Sequence, residues 1–188
     1  GEDLGNQGRL AKLLRFSSTD KDRPDQTVSF DDYIERSKPG QEKIYYVTAD
    51  SFAAAKNSPH LEVFKKNGIE VLLLHDRVDE WLVAHLTEFE GKTLESVAKG
   101  DLDLGGLLDS EFEEKQQQEA EHDFKIVVER MQKAIGEKAT AVRLTHRLTE
   151  SPACLVAEKD GMSANLGRIL RAAGQVVSST RSEEHTSE

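Results

Sequence analysis

Long apolar runs are missing from this sequence. The longest spans five residues, Ala153 to Ala157, whereas a membrane helix needs roughly 20. We therefore expect a soluble protein without a membrane partner.

Cysteine is scarce, because Cys154 is the only one, and it lies inside the apolar run Ala153 to Ala157. A single thiol among apolar residues is typical of a buried side chain in a reducing compartment, so we expect a cytoplasmic protein.

Basic residues are too few for nucleic-acid binding. The chain has 25 Lys and Arg against 35 Asp and Glu, a net charge of -10, and phosphate binding needs clustered basic side chains. We interpret the acidity as a solubility feature. An initiator Met is also missing, and Gly1 to Leu4 does not open a signal peptide. We therefore expect the chain to begin inside a longer protein.

Motifs that hold phosphates or activate nucleophiles are missing as well. No glycine-rich loop ends in Lys-Ser or Lys-Thr, as a phosphate-binding loop does. In the glycine-containing segment 100–106, Asp101 and Asp103 would repel a phosphate. His146 precedes Cys154, so the residue types of a Cys/His pair are present, but a thiol in the middle of an apolar strand is usually inert. These observations predict no catalytic residue.

The sequence does contain a strand–helix–strand pattern. Lys43 to Thr48 is rich in β-branched and aromatic residues and predicts a strand, and Ser51 and Ser58 can begin the helices that follow. Ile69 to Leu74 ends without polar alternation, which is typical of a parallel strand buried on both faces. The predicted fold class is α/β (α+β overall): a small three-layer βαβ subdomain, then a helix and a small α+β C-terminal domain.

Shorter patterns predict the ends of individual elements. Ser29 to Asp32 opens a short helix, and Thr27 to Phe30 alternates polar and apolar residues like a short edge strand. Asp76 is placed to cap a helix with Val78 and Trp81 on its apolar face. Glu90 to Lys92 predicts a tight turn between two short strands.

Shifts in composition predict where the segments of the chain divide. Residues 1–100 form the α/β unit, and residues 101–112, rich in Gly and Asp, are interpreted as a linker. Residues 113–175 form the smaller domain, and the polar tail 176–188 is expected to be disordered and foreign to the fold. The elements predicted around the smaller domain are a helix at Glu111–Gln132, strands at Ala141–Leu144 and Ala153–Ala157, and a final amphipathic helix.

One group of residues has the chemistry of a metal site. His75, Asp76, Asp79 and Glu80 follow the buried strand, where open α/β sheets place their ligands. A zinc site needs three or four convergent ligands, and Asp76 and Asp79 are better explained as first-turn acids that complement the dipole of a helix. A small metal-dependent hydrolase that uses His75, Asp76 and Asp79 is kept as an alternative function.

Two apolar features are candidates for a binding surface. Trp81 is the only tryptophan; core packing is its ordinary explanation, and a partly exposed aromatic that contacts other proteins is the alternative. The helix that starts near Met162 carries an apolar stripe continued by Leu166, Ile169 and Leu170. This helix either packs on a core or forms an adaptable contact, since methionine can repack around different partners.

Several segments, in one order along residues 3–175, resemble heat-shock protein 90 chaperones. The segment Gly40 to Ser51 is similar to the strand that marks the middle domain of that family, and the pair Glu80-Trp81 and the stretch Leu144 to Leu148 look like its bacterial branch. The other similar segments are Ala11–Phe16, Ser58–Glu62, Gly68–Leu74, Asp79–Trp81, Glu88–Lys92, Val142–Leu148 and Ser151–Ala153. The resemblance makes residues 1–100 the end of a middle domain and 113–175 the start of a C-terminal domain.

The resemblance implies a homodimeric, ATP-driven chaperone for unfolded or partly folded client proteins, with co-chaperones as further partners. ATP and Mg would bind the parent protein. The ATPase domain and the dimerisation helices are expected to lie outside this chain. We therefore expect no catalytic, cofactor or metal residue here, and neither ATP hydrolysis nor the native dimer.

Client contact is the property that the resemblance assigns to this chain. The implied contact residues of the middle domain are Glu80 and Trp81. Those of the amphipathic helix, which projects into the dimer cleft in the family, are Met162, Leu166, Ile169 and Leu170. The family often has bulkier Met and Phe where this chain has Leu166 and Leu170. A passive adaptor domain, which would bind one partner tightly, is the remaining alternative.

Overall fold

The computed structural model describes residues 7–21, 23–100, 102, 104, 107, 124–136, 139, 141–143, 145, 148–158 and 161–174. The helices are α1 (Gln7–Ala11), α2 (Phe30–Arg36), α3 (Phe52–Lys56), α4 (Glu62–Lys66), α5 (Asp79–His85), α6 (described over 124–135) and α7 (Ala164–Ala172). A 3₁₀ turn, Pro59–Leu61, precedes α4. The strands are β1 (Ser17–Ser18), β2 (Lys43–Thr48), β3 (Leu72–Leu74), β4 (Glu88–Phe89) and β5 (Lys92–Ser96). None of the helices described is both long and apolar enough to cross a membrane.

A five-stranded mixed sheet, in the order β1-β3-β2-β5-β4, organises the first part of the chain. The central strand β2 pairs in parallel with β3 on one side and β5 on the other, so that Tyr46 lies opposite both Leu72 and Ser96. The outer strands β1 and β4 pair antiparallel with their neighbours. The predicted parallel β2 and β3, joined by helices, are confirmed, and antiparallel strands at both edges make the sheet mixed.

Both faces of the sheet are covered by apolar side chains. Ile44 and Tyr46 of β2 belong to a core on one face, and Tyr45 and Val47 to a core on the other. Helices α2 and α5 contribute to the first core, and α3 and α4 contribute to the second. Strand β3 consists of three leucines without any alternation of apolar and polar residues, because a strand buried on both faces needs apolar residues at every position.

The phenol of Tyr33 joins α2 to two neighbouring segments. Its hydroxyl donates to the carbonyl of Glu70 at 2.8 Å and accepts from the backbone N–H of Tyr45 and from Nε2 of Gln41, each at 3.0 Å. Burial raises the pKa of Tyr33 far above its usual range. The ring position depends on α2, which begins as predicted: Ser29 and Asp32 form a capping box.

The turn between β4 and β5 is the one predicted from the sequence. Glu90 and Gly91 have φ values of 48° and 78°, the combination of two left-handed residues found in type I′ hairpin turns. Glycine adopts this conformation without steric penalty. The turn returns the chain so that Lys92–Ser96 lies beside β2.

Three predicted boundaries are wrong. Helix α5 begins at Asp79 and not at Asp76; Asp76 lies in the preceding turn, where its backbone N–H donates to Oδ2 of Asp79 at 2.9 Å. Thr27–Phe30 is not a strand, because only Val28 pairs, in a single bridge with Phe16. The strand predicted from Ile69 to Leu74 is shorter in the structure and spans only Leu72–Leu74.

Neither strand predicted in the C-terminal segment is present among the described residues. Positions 141–143 and 153–156 are irregular, and only Ala157 pairs, in a bridge with Lys99. Leu155 is 86% exposed, and Cys154 is half-buried instead of fully buried. An apolar run forms a strand only where a neighbouring strand receives it, and local sequence does not show whether one does.

The predicted linker contains side chains that pack on the fold. Leu104 is buried in the core that contains Phe64, and Leu102 and Leu107 are partly buried against it. Most of 101–112 and all of the tail 176–188 lie outside the described residues. Of the predicted helix Glu111–Gln132, the described part from 124 onward is helical and continues to 135. The domain boundary itself stays a prediction.

Candidate functional site

Helix α5 presents one large aromatic side chain to solvent. Leu82 and Val83 pack against the core on one face of the sheet, while Trp81 is 46% exposed. Successive helical residues point about 100° apart, so a helix that packs through Leu82 and Val83 leaves Trp81 at the side of that contact. Core packing, the ordinary explanation for a tryptophan, therefore does not account for Trp81.

Helix α7, from a different part of the chain, carries the second set of predicted contact residues. Ser163 caps it by accepting a hydrogen bond from the N–H of Leu166 at 2.9 Å. Met162 lies just before the cap and is 42% exposed. Its sulfur lies over Gly167, 3.6 Å from where a β-carbon of that residue would be. Leu166, Ile169 and Leu170 are half-buried, so the predicted amphipathic helix and its apolar stripe are present.

Glu80 has a different environment from its neighbour Trp81. It is only 5% exposed. Its carboxylate oxygens each lie 2.8 Å from the hydroxyl of Ser163, and Oε1 accepts from Nδ2 of Asn165 at 3.0 Å. A direct contact between this carboxylate and a client, which the family resemblance implied, would require these bonds to open. The structure instead connects Glu80 to the first turn of α7.

A second polar contact holds α7 further along its length. The guanidinium of Arg168 pairs with the carboxylate of Asp50 and also donates from Nη2 to Oδ1 of Asn165 at 2.7 Å. The hydrogen bond from Arg168 lowers the pKa of Asp50 below its usual value. Both partners of the ion pair are about half exposed, so the pair itself adds little stability. Its geometry nevertheless places α7 next to Asp50, two residues before α3 begins.

Glu62 holds a third segment of the chain. Its carboxylate accepts from the backbone N–H groups of Glu150, at 2.8 Å, and of Thr149 and Ser151, and from the hydroxyl of Ser151. These bonds stabilise the ionised carboxylate, and they lower the pKa of Glu62 to about 2. The loop at 149–151 is therefore attached to the first residue of α4.

The residues of the alternative metal site are engaged in other contacts. Nε2 of His75 lies 3.2 Å from the hydroxyl of Ser17, and Asp76 accepts from Nε2 of Gln26 at 2.8 Å. Asp79 is buried, which raises its pKa. Within the described residues there is no group of three or more His, Cys, Asp or Glu side chains that could hold a metal ion. His146, which the sequence suggested as a partner for Cys154, lies outside the described residues.

Sequence reasoning missed the residues that assemble this surface. The hydrogen bonds in question join residues that lie between 83 and 118 positions apart in the sequence, and they involve Asp50, Glu62, Ser163 and Asn165. Only Ser163 carried a local signal, because serine before an apolar helix is a typical cap. The contacts of Glu80 place the start of α7 next to α5, and each of these helices has an exposed apolar residue beside the contact, Met162 and Trp81.

Comparison with known proteins identifies the family. The family model described as Hsp90 protein matches residues 1–188, and the chain belongs to that family. It is 63% identical over 175 residues to the chaperone protein HtpG of Nitrosococcus oceani and 61% identical over 175 residues to that of Paraburkholderia xenovorans. Each alignment covers 93% of this chain and 27% of the relative. The chain therefore spans about a quarter of the length of these relatives.

Proposed function

We propose that this chain is part of an ATP-dependent molecular chaperone and that it binds unfolded or partly folded client proteins through exposed apolar surface. The observation that carries the proposal is the exposure of Trp81 and Met162 in a chain whose relatives are named chaperone protein HtpG. Leu166, Ile169 and Leu170 extend the contact. We name the surface formed by these five residues the client surface.

The chemistry of the client surface suits loose binding of many sequences. Burial of apolar area contributes about 25 cal/mol per Å², so a half-exposed tryptophan and a methionine supply only a weak contact each. Tryptophan offers a rigid flat face, and methionine fills irregular gaps by changing rotamer. Affinity would then come from several weak contacts made at once. An unfolded chain can make such contacts because its apolar side chains are not yet buried.

The remaining properties of the proposed function come from the family. In the whole protein we propose that bound ATP with Mg drives the client cycle, that the protein acts as a homodimer in the cytoplasm, and that co-chaperones bind it. In this proposal the present chain contributes client contacts and no catalytic or cofactor-binding residue. Its net charge of -10 supports solubility and opposes nucleic-acid binding.

A direct test compares one client protein in two states. A fluorescently labelled protein that is kept unfolded by reduction and alkylation of its disulfides is titrated with the chain, and anisotropy measures binding. The same protein with its disulfides intact is the matched control. We expect binding of the unfolded form only. Equal binding of both forms, or no binding of the unfolded form, would contradict the proposal; tight binding of a single folded partner would favour the passive adaptor.

A further inference from the structure

We infer that Glu80 is a positioning residue: its buried carboxylate holds the first turn of α7 against α5, so that Trp81 and Met162 belong to one continuous surface. This inference rests on the proposed function and assigns a role to a residue that the family resemblance implied to be a direct client contact. Four observations carry it.

The first observation is the difference in exposure between adjacent residues. Glu80 is 5% exposed, against 46% for Trp81. Both oxygens of the Glu80 carboxylate already face donors from the cap and first turn of α7. A client that approaches the client surface would therefore contact the side chain of Trp81 and not the carboxylate of Glu80.

The second observation is that Glu80 acts on the cap of α7. The hydroxyl of Ser163 accepts a hydrogen bond from the N–H of Leu166 and donates its own hydrogen to Glu80. A hydroxyl has one hydrogen to donate, and the carboxylate decides where that hydrogen points. The oxygen of Ser163 is then oriented to cap the helix, and the direction in which α7 starts depends on Glu80.

The third observation is that Asn165 extends the same contact. Its Nδ2 donates to Glu80 at 3.0 Å, while its Oδ1 accepts from Arg168 at 2.7 Å. Asn165 is itself buried, so both ends of its amide are used. Arg168 in turn pairs with Asp50. Helix α7 is thus attached to the sheet-bearing part of the chain through two acids, the buried Glu80 and the exposed Asp50.

The fourth observation concerns the neighbours in sequence. Trp81 follows Glu80, and Met162 precedes Ser163, so each bonded residue is adjacent to an exposed apolar one. A buried carboxylate without partners is strongly unfavourable. Glu80 keeps these donors only while α7 stays against α5, so the bonds favour the arrangement in which the exposed residues Trp81 and Met162 flank the contact. The client surface is therefore expected to be preformed.

The test separates the charge of Glu80 from its hydrogen bonds. Glu80→Gln keeps an oxygen that can accept from Ser163 and Asn165, while Glu80→Ala removes it. We expect Glu80→Ala to weaken binding of the unfolded client about fivefold, the factor that corresponds to one lost hydrogen bond. We expect Glu80→Gln to restore most of that loss. Glu35→Ala, at an exposed glutamate of helix α2, is the matched control and should bind like the unchanged chain.

A second set of variants checks that the effect passes through α7. Asn165→Ala should weaken client binding, although Asn165 is buried, and Glu80→Ala combined with Asn165→Ala should be no weaker than Glu80→Ala alone. Hydrogen exchange of the amides at the start of α7 should accelerate in Glu80→Ala and not in Glu35→Ala. Far-ultraviolet circular dichroism monitors whether each variant is folded.

Other outcomes would overturn the inference in distinguishable ways. If Glu80→Gln binds as weakly as Glu80→Ala and Asn165→Ala binds normally, the charge contacts the client directly and Glu80 is not a positioning residue. If Glu80→Ala binds normally while Trp81→Ala is weak, the inference fails and the proposed function stands. If neither Glu80→Ala nor Trp81→Ala affects binding, the client surface itself is refuted.

Discussion

Glu62 accepts a hydrogen bond from the backbone N–H of Glu150, 2.8 Å away, across a sequence separation of 88 residues. With Thr149 and Ser151 also donating, the carboxylate replaces three contacts that these N–H groups would otherwise make with water. The C-terminal segment is therefore attached to the first residue of α4 by bonds that are stronger to an ionised carboxylate than to a protonated one. This difference makes the attachment sensitive to acid.

The first prediction concerns pH. The pKa of Glu62 falls from 4.5 to about 2 on folding, so its ionised form stabilises the fold above pH 4.5. That stabilisation is lost as the pH falls from 4.5 towards 2, because protonation removes the negative charge and leaves a weaker acceptor. We expect the free energy of unfolding, measured with urea, to fall more steeply over this range in the unchanged chain than in Glu62→Gln. Identical slopes would show that the bonds to 149–151 do not contribute.

The second prediction concerns the stability of the sheet-bearing part. Tyr33→Phe removes a hydroxyl that is hydrogen-bonded to Glu70, Tyr45 and Gln41. The buried backbone N–H of Tyr45 then loses this acceptor. We expect a loss of about 1–3 kcal/mol in the free energy of unfolding, measured by urea denaturation. Tyr46→Phe is the control, since the Tyr46 hydroxyl makes no hydrogen bond with the described residues. A Tyr33→Phe variant as stable as this control would contradict the role of the Tyr33 hydroxyl.

The third prediction concerns Trp81. Trp81→Ala should weaken binding of an unfolded client about fivefold, the effect of losing roughly 1 kcal/mol of apolar contact. Because the side chain is half exposed, stability should change less than it does in Tyr33→Phe. The control is Leu13→Ala, which truncates another exposed apolar residue, 73% accessible, outside the client surface. Equal affinities for the two variants would argue against a specific surface.

The fourth prediction concerns the stripe of α7. Leu170→Asp introduces a charge where an apolar client side chain would be buried, and we expect about a tenfold loss of client affinity. Ala172→Asp introduces the same charge at an exposed position of the same helix and should have little effect. Circular dichroism checks that both variants keep their helices. A loss of equal size in both would point to general repulsion by negative charge.

Local patterns predicted the central elements well. Strand β2 has the bounds expected from its β-branched and aromatic residues, because these side chains suit a buried sheet. The cap of α2 at Ser29 and the turn at Glu90 and Gly91 follow from side-chain and backbone preferences within four residues. The exposed positions of Trp81 and Met162 were inferred through the resemblance, since a half-exposed tryptophan has no local signature.

Long-range partners account for what could not be predicted. The buried carboxylate of Glu80 bonds to Ser163 and Asn165, which lie 83 and 85 residues away, and the sequence near position 80 does not indicate these partners. The apolar run that ends at Ala157 was predicted to be a strand, yet only Ala157 pairs. In both cases the outcome depends on which distant segment arrives beside the residue, a property of the fold and not of the local sequence.

The central claim is that Trp81 meets the client, and its own fluorescence tests this most directly because it is the only tryptophan in the chain. A permanently unfolded client that contains no tryptophan is added while emission and acrylamide quenching are recorded. We predict a shift of the emission to shorter wavelength and reduced quenching as the client covers the half-exposed ring. If anisotropy shows the client bound while the emission and quenching of Trp81 stay unchanged, the client surface proposed here is contradicted.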